Sequence, residues 1–456
     1  MTPLHALTAT EAVAAIRNGQ LSAVSLVEAL LARIDALDPD VKAWVTVDRG
    51  GALETASQRD REAQAGRLRG PLHGLPVGLK DIYHVAGMVT TCGAGPFAHE
   101  HPADDAETVG RLRQAGAVVL GKTATTEFAY LDPAETRNPW NPEHTPGGSS
   151  SGSAAAVAAR MVPLALGSQT VGSTLRPAAY CGVVGLKPTH GRVSCRGVVP
   201  LAWSLDHVGI FSRSVTDAAL GLQVLAGHDP RDPFSSRESL ADYVGALSRA
   251  ERPPRLALPR QFFLERASPE VAAHLEGVAQ SLGRGGATVE EIKLPPSFEG
   301  IHDAGARVVR VEAAAFHAAR FATHAAQYRP KLRALIEAGP TISAVEYVAA
   351  QQHRRRFRDE MAASFERADA LLMPVAGAPA PKGLDSTGDP AFCAPWSFAG
   401  LPAISLPSGL TMDGLPLAVQ LVSAAFDEPR LLAVARWCEA QLGFTAAPPE
   451  TVRRSV

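Results

Sequence analysis

Pro146-Gly147-Gly148-Ser149-Ser150-Ser151-Gly152-Ser153 opens the stretch that decides how this chain is read. It closes with Gly167-Ser168-Gln169-Thr170-Val171-Gly172-Ser173, then Arg176-Pro177, then Cys181-Gly182-Val183-Val184-Gly185-Leu186-Lys187-Pro188-Thr189. Two loops of small residues bracket an alanine-rich segment. Glycine lets such loops bend sharply and present hydroxyls and free N–H groups to one point. Acyl transfer needs both: an activated hydroxyl as nucleophile and backbone donors for the developing oxyanion. Upstream, Gly74-Leu75-Pro76-Val77-Gly78-Leu79-Lys80-Asp81 is an apolar run that ends on a lysine. Together the segments propose a Ser-Ser-Lys hydrolase.

The rest of the chain sets bounds. With 456 residues, 46% hydrophobic and 20% charged, the composition is that of an ordinary globular protein. A net charge of −2 gives no global field for nucleic acid or an anionic membrane, so neither is expected as a partner. No apolar run approaches the roughly 20 residues that span a bilayer. Met1-Thr2-Pro3-Leu4-His5 lacks the basic start and apolar core of a signal peptide. The five cysteines (Cys92, Cys181, Cys195, Cys393, Cys438) are scattered, form no CxxC pair and are read as reduced, in a cytoplasmic protein.

Periodicity predicts a helix over residues 9–37, capped by Ser22 or Ser25 and ended by Pro39, and a looser helix over 52–66. Val77-Gly78-Leu79 and residues 117–122 read as buried strands around a helix at 105–116. A helix at 153–161 and a strand at 163–167 follow. After a loosened stretch between Leu222 and Pro253, strand–helix–strand character returns at 255–258, 271–282 and 288–294. Long helices are expected at 301–326 and 344–370, then a strand at Leu371-Leu372-Met373-Pro374. Helices alternating with short apolar strands argue for an α/β layered sheet. There is no internal repeat.

The quoted motifs, with Ala399-Gly400-Leu401-Pro402-Ala403-Ile404 and Gly414-Leu415-Pro416-Leu417-Ala418-Val419-Gln420-Leu421 near the C-terminus, resemble the amidase signature family. The resemblance is strongest over about 72–209. It implies one amidase-type domain over 1–456, with a variable, pocket-building region at about 225–400. The implied fold is an α/β/α sandwich with a central mixed, mostly parallel twisted sheet flanked by helices. It also implies roles. Ser173 would be the nucleophile, Ser149 the proton relay and Lys80 the final base, with the Thr170, Val171, Gly172 and Ser173 N–H groups as oxyanion hole. The Gly148–Ser149 peptide would be cis. No metal or cofactor is implied. The apolar residues before Lys80 fit burial, which would depress its pKa from near 10.4 toward the neutral form a base needs.

The sequence departs from the commonest family pattern, Gly-Thr-Asp-Thr-Gly-Gly-Ser-Ile-Arg. Gln169 stands where an acid is usual, Val171 replaces a glycine, Ser151 stands where a glycine is usual, and Arg176 lies three residues after Ser173 rather than two. Arg176 has two readings, a clamp on a substrate carboxylate or a structural pair beside Pro177, and the structural one is favoured. Asp206 and the Thr126-Glu127 region are expected to support the loops. Gly148-Ser149-Ser150-Ser151-Gly152 formally matches the nucleophile elbow G-x-S-x-G, but a loop precedes it where that motif needs a strand. His99-Glu100-His101 lacks metal-site spacing, and Arg354-Arg355-Arg356 with Arg358 reads as a solvated helix face.

The reading is therefore a hydrolase of carboxamide, ester or carbamate bonds in a small molecule, acting through an acyl-enzyme, with a homodimer left open. Candidate substrate-binding residues are Arg176, Tyr130, Trp140, Trp396 and Phe398, with Trp203 as a further aromatic. Two alternatives stand beside it: the amide-hydrolysing subunit of a tRNA-dependent amidotransferase, and a non-catalytic scaffold on the same fold.

Overall fold

The computed structural model describes residues 2–450. Eleven strands form one mixed sheet. In chain order they are β1 Trp44–Val47, β2 Pro76–Lys80, β3 Val118–Thr123, β4 Leu164–Gln169, β5 Val184–Lys187, β6 His207–Ser212, β7 Arg255–Pro259, β8 Thr288–Ile292, β9 Ala370–Pro374, β10 Ala403–Leu410 and β11 Pro416–Val422. Their order across the sheet is β1-β3-β2-β4-β6-β5-β10-β11-β9-β7-β8. The expected α/β architecture of helices flanking a mixed sheet is present, but the sheet is not mostly parallel. Parallel pairing is confined to β3–β2–β4 and β9–β7–β8. The remaining pairs, from β4 through β6, β5, β10 and β11 to β9 and at β1–β3, are antiparallel. Short returns such as the β10–β11 hairpin cannot join parallel neighbours, which need a crossover of a dozen or more residues.

The first long helix also differs from expectation. It is two helices, Ala9–Arg17 and Ala23–Val41. Gly19, at φ 69°, lies between them, and the Ser22 hydroxyl accepts from the Ser25 N–H to cap the second. Pro39 lies inside that helix rather than ending it; Lys42, in the left-handed region, closes it. A proline so near the end removes one of the last few backbone bonds rather than breaking the helix in two. The strand β1 escaped the periodicity because only four residues, half-buried or exposed, carry it.

The alanine-rich segment forms the helix Ser151–Ala158, with every residue buried. Small side chains let it lie against β2, β3 and β4. A Cβ on Gly152 would come within 2.2 Å of the Ala43 carbonyl oxygen and 2.3 Å of the Ala124 nitrogen. Both are backbone atoms and have nowhere to go. Gly152→Ala is therefore expected to cost about 1–3 kcal/mol or more of stability through overpacking. A urea unfolding midpoint matching wild type would refute this account of the close approach.

Candidate active site

β2 and β4 are parallel neighbours and end side by side, so Lys80 and the Ser168–Ser173 segment come to the same edge of the sheet. The helix Ser151–Ala158 begins at that edge, bringing Ser149 with it. The Gly148–Ser149 peptide is cis.

Lys80 is fully buried. Its Nζ hydrogen-bonds to Ser149 Oγ at 2.6 Å and to Ser168 Oγ at 2.8 Å. Burial pushes the amine down to about 7, opposed by the nearby Asp206. The neighbouring acid, Asp81, is already occupied by Lys122 at 2.8 Å, both side chains being fully buried. Ser173 is nearly buried, at 9% exposure. The Ser150 N–H reaches the Ser173 carbonyl at 3.4 Å, which ties the two serine loops together. No hydrogen bond joins Ser149 Oγ to Ser173 Oγ among the described residues; such contacts often tighten only with substrate in place.

The loop from Thr170 to Ser173 is held by Gln169. The Gln169 Oε1 accepts from the Thr174 N–H at 2.8 Å and the Leu175 N–H at 2.9 Å. Its Nε2 donates to Ser397 Oγ at 2.9 Å, and Ser397 Oγ in turn donates to the Val171 carbonyl at 2.7 Å. A carboxylate could accept both N–H groups but could not donate to Ser397. The N–H groups of Val171, Gly172 and Ser173 have no hydrogen-bond partner among the described residues. Thr170 Oγ1 donates to Asp206 Oδ1 at 2.5 Å, and the Leu201 and Ala202 N–H groups bond the other oxygen. Desolvation raises Asp206 to about 6 despite these bonds.

The other serines have structural tasks. Ser150 Oγ donates to the Ser168 carbonyl at 3.2 Å and accepts its N–H at 3.1 Å. Ser151 Oγ donates to the Gly147 carbonyl and Ser153 Oγ to the Leu166 carbonyl, both at 2.8 Å. A nucleophile elbow centred on Ser150 would leave its hydroxyl open, and it is not.

Two cavities flank this edge. One, of about 270 Å³, is lined by Ser173, Arg176, Tyr130 and Phe398, with Ile301 and Val309 on its apolar wall. The other, of about 290 Å³, is lined by Ser168, Asp206, His190, His207, Trp203 and Phe234. Ala129, Thr170 and Leu201 border both. Of the substrate-binding candidates, Tyr130, Arg176 and Phe398 reach a cavity and Trp140 and Trp396 do not. Trp140 donates its indole N–H to the Cys181 carbonyl at 2.8 Å. Trp396 is fully buried and stacks on Phe263 at 6.0 Å. Both serve packing, because a flat apolar ring fits a core as readily as a ligand. Arg176 is buried. Its Nη2 donates to the Gly148 carbonyl at 2.8 Å and to Thr387 Oγ1 at 3.0 Å, while Nε and Nη1 have no partner among the described residues. It steadies the Ser149 loop and borders the cavity at once. Arg354 departs from the solvated face expected of it: its Nε donates to the Phe398 carbonyl at 2.5 Å, and burial lowers its pKa to about 10.

Ser168 is a residue of this site that the sequence alone does not single out. It sits inside the quoted motif, but only the parallel register of β2 and β4 shows that its hydroxyl meets Lys80.

Residues 25–432 match the Amidase family, and the chain belongs to it. Among curated relatives, the A subunit of glutamyl-tRNA(Gln) amidotransferase from Roseiflexus castenholzii is 39% identical over 95% of both chains. A solved structure described as a vestigial protein complex revealing the origins of an s-triazine catabolic enzyme is 31% identical, with a TM-score of 0.90 over 97% of this chain and 100% of that one. The peptide amidase of Stenotrophomonas maltophilia is 32% identical, with a TM-score of 0.85 over 98% of this chain and 99% of that one. The expectation of no nucleic-acid partner rested on net charge, and a relative named for a tRNA removes its support. No helix among the described residues is long and apolar enough to cross a membrane.

The Gln169 network makes a stability prediction. Gln169→Leu leaves the Thr174 and Leu175 N–H groups buried without an acceptor and should lower stability by roughly 2 kcal/mol or more. Chemical denaturation checks this, and a change within about 0.5 kcal/mol, the usual range for an inconsequential substitution, would show that other groups fix the loop.

Proposed function

We propose that this chain hydrolyses a carboxamide through an acyl-enzyme on Ser173. The observation that carries the proposal is the buried contact of Lys80 Nζ with Ser149 Oγ, at an amine lowered to about 7. An amine neutral near physiological pH can take a proton, which an ordinary lysine cannot. In this reading Ser173 Oγ attacks the amide carbonyl carbon. Its proton passes to Ser149, and the Ser149 proton passes to Lys80. The carbonyl electrons move to oxygen, where the unpaired N–H groups of the Val171–Ser173 loop receive the charge. As the C–N bond breaks, the proton returns by the same route to the departing nitrogen. Water then attacks the ester by the mirror-image sequence and releases the acid.

A second reading sets the same chemistry in a larger assembly. Its support is the curated relatives, amidotransferase A subunits at 36–39% identity over nearly their whole length. There the amide would be a nitrogen donor for a tRNA-linked product, and other subunits would be required. Gln169, Val171 and the shifted Arg176 depart from the commonest family pattern and keep the free-standing amidase in view. Assay of the chain alone, with glutamine beside a panel of aliphatic, aryl and amino-acid amides, separates the two. Turnover of glutamine alone would favour the multi-subunit reading, and turnover of other amides the free-standing enzyme.

Ser173→Ala should abolish turnover and labelling by a fluorophosphonate while leaving the thermal melt intact; retained activity would remove Ser173 from the role. Ser149→Ala should lose at least about a hundred-fold in kcat, the range of a general acid–base contribution.

The pH profile tests Lys80. Its folded pKa is depressed, so the neutral, proton-accepting form gains population as pH rises through about 7. Activity should climb across that window and level above it. Lys80→Arg should stay inactive at every pH in the working range, since a guanidinium does not deprotonate there. A normal acylation burst in that variant would assign the base elsewhere.

A further inference from the structure

We propose that the cavity bounded by Trp203, His190 and Phe234 receives the amine half of the substrate, and that the enzyme therefore cleaves N-aryl carboxamides. The inference rests on the acyl-enzyme reading above and assigns the two cavities to the two halves of the scissile bond.

The assignment follows from where the proton must go. The departing nitrogen has to meet the group that carried the proton away from Ser173, so it must lie on the side of the Ser149–Lys80 relay. Lys80 bonds Ser149 and Ser168, and Ser168 lines the Trp203 cavity but not the other. Ser173, Val171 and Gly172 line the other cavity alone. The two meet at Thr170, at the head of the loop that would hold the oxyanion. A carbonyl placed against that loop has its acyl chain toward Ile301 and Val309 and its nitrogen substituent toward Trp203.

The cavity is larger than ammonia requires. Its volume of about 290 Å³ compares with roughly 15 Å³ needed to hold one water. Its wall is apolar and aromatic: Ile82, Val193, Val198 and Leu201, with Trp203 and Phe234 at the mouth. The two aromatics are 39% and 43% exposed and so are open to contact with a bound ring. His190 stands edge-on to both Phe234, at 5.8 Å, and His207, at 5.2 Å. The charged residues of the rim are engaged within the protein. Arg196 and Arg231 pair with Glu107 and Asp229, and Asp232 accepts the Cys195 and Phe234 N–H groups. Asp206, also in the lining, has its carboxylate oxygens taken up by Thr170 Oγ1 and the Leu201 and Ala202 N–H groups. One polar atom is left over. His207 Nδ1 lies 3.0 Å from the Gln169 carbonyl, which only accepts, so the proton is on Nδ1 and Nε2 is a buried acceptor without a partner among the described residues. A flat neutral amine with an N–H to give fits that set of groups.

The test offers a series of acyl groups, each as the primary amide and as the 4-nitroanilide, to wild type, Val198→Phe and Trp203→Ala. Val198→Phe fills the cavity; Trp203→Ala removes its rim from an exposed position and covers the case in which the first variant folds poorly. For at least one acyl group the anilide should be cleaved with a KM lower than that of the primary amide by about ten-fold, the scale of a hydrophobic-pocket contribution. Either variant should erase that advantage, so that the KM ratio of primary amide to anilide for the same acyl group falls from about ten toward one. If a primary amide is cleaved, its anilide is not, and 4-nitroaniline fails to inhibit, the cavity takes no arylamine and the proposal falls while the Ser173 reading stands. Cleavage of anilides that neither variant alters overturns it equally. If no amide of either kind is cleaved and a fluorophosphonate leaves Ser173 unlabelled, the acyl-enzyme reading itself fails and takes the assignment with it.

Discussion

Everything at this site depends on the burial of one amine. Lys80 ends β2 with no exposure to water, and a charged ammonium there would carry a desolvation cost that two serine hydroxyls cannot offset. The amine therefore leans toward its neutral form. Neighbouring groups are arranged not to reverse this. Asp81, next in sequence, is neutralised by Lys122, and Asp206 is occupied by Thr170 and two backbone N–H groups. A free carboxylate at either position would draw the proton back onto Lys80.

The second constraint is mechanical. A loop whose N–H groups are to stay unpaired must be held by something other than those N–H groups. The Gln169 carboxamide does this from behind. It binds the start of the helix Leu175–Cys181 with its oxygen and, through Ser397, the carbonyl of Val171 with its nitrogen. The neutral amide in place of the family's usual acid is thus a different fastening of the same loop.

The sequence singles out Lys80, Ser149 and Ser173 because each lies in a long motif whose flanks are themselves constrained by close packing. Gly152, against two backbone atoms, is one such flank. It did not show the role of Ser168, because register between β2 and β4 decides it. Nor did it separate Trp140 and Trp396 from Tyr130 and Phe398. Whether an aromatic lines a cavity or a core depends on neighbours hundreds of residues away, as Trp396 against Phe263 illustrates. The direction of the strands was equally hidden. Apolar runs of four to six residues look alike in parallel and antiparallel sheets. A net charge of −2 was a poor guide to partners, since it averages over faces that a partner would see one at a time.

The strand order has a bearing on how the molecule is made. β9, β10 and β11 are late in the chain but lie between β5 and β7. A polypeptide emerging from the ribosome therefore has its first six strands and its seventh and eighth available before the strands that join them. Until β9 and β10 are synthesised, β7 and β5 present unpaired edges, and until Ser397 emerges nothing fastens Gln169 and Val171 from that side. Unpaired edges invite association with other chains. The nascent protein thus holds Ser173 early, but can fasten the loop around it only when nearly complete.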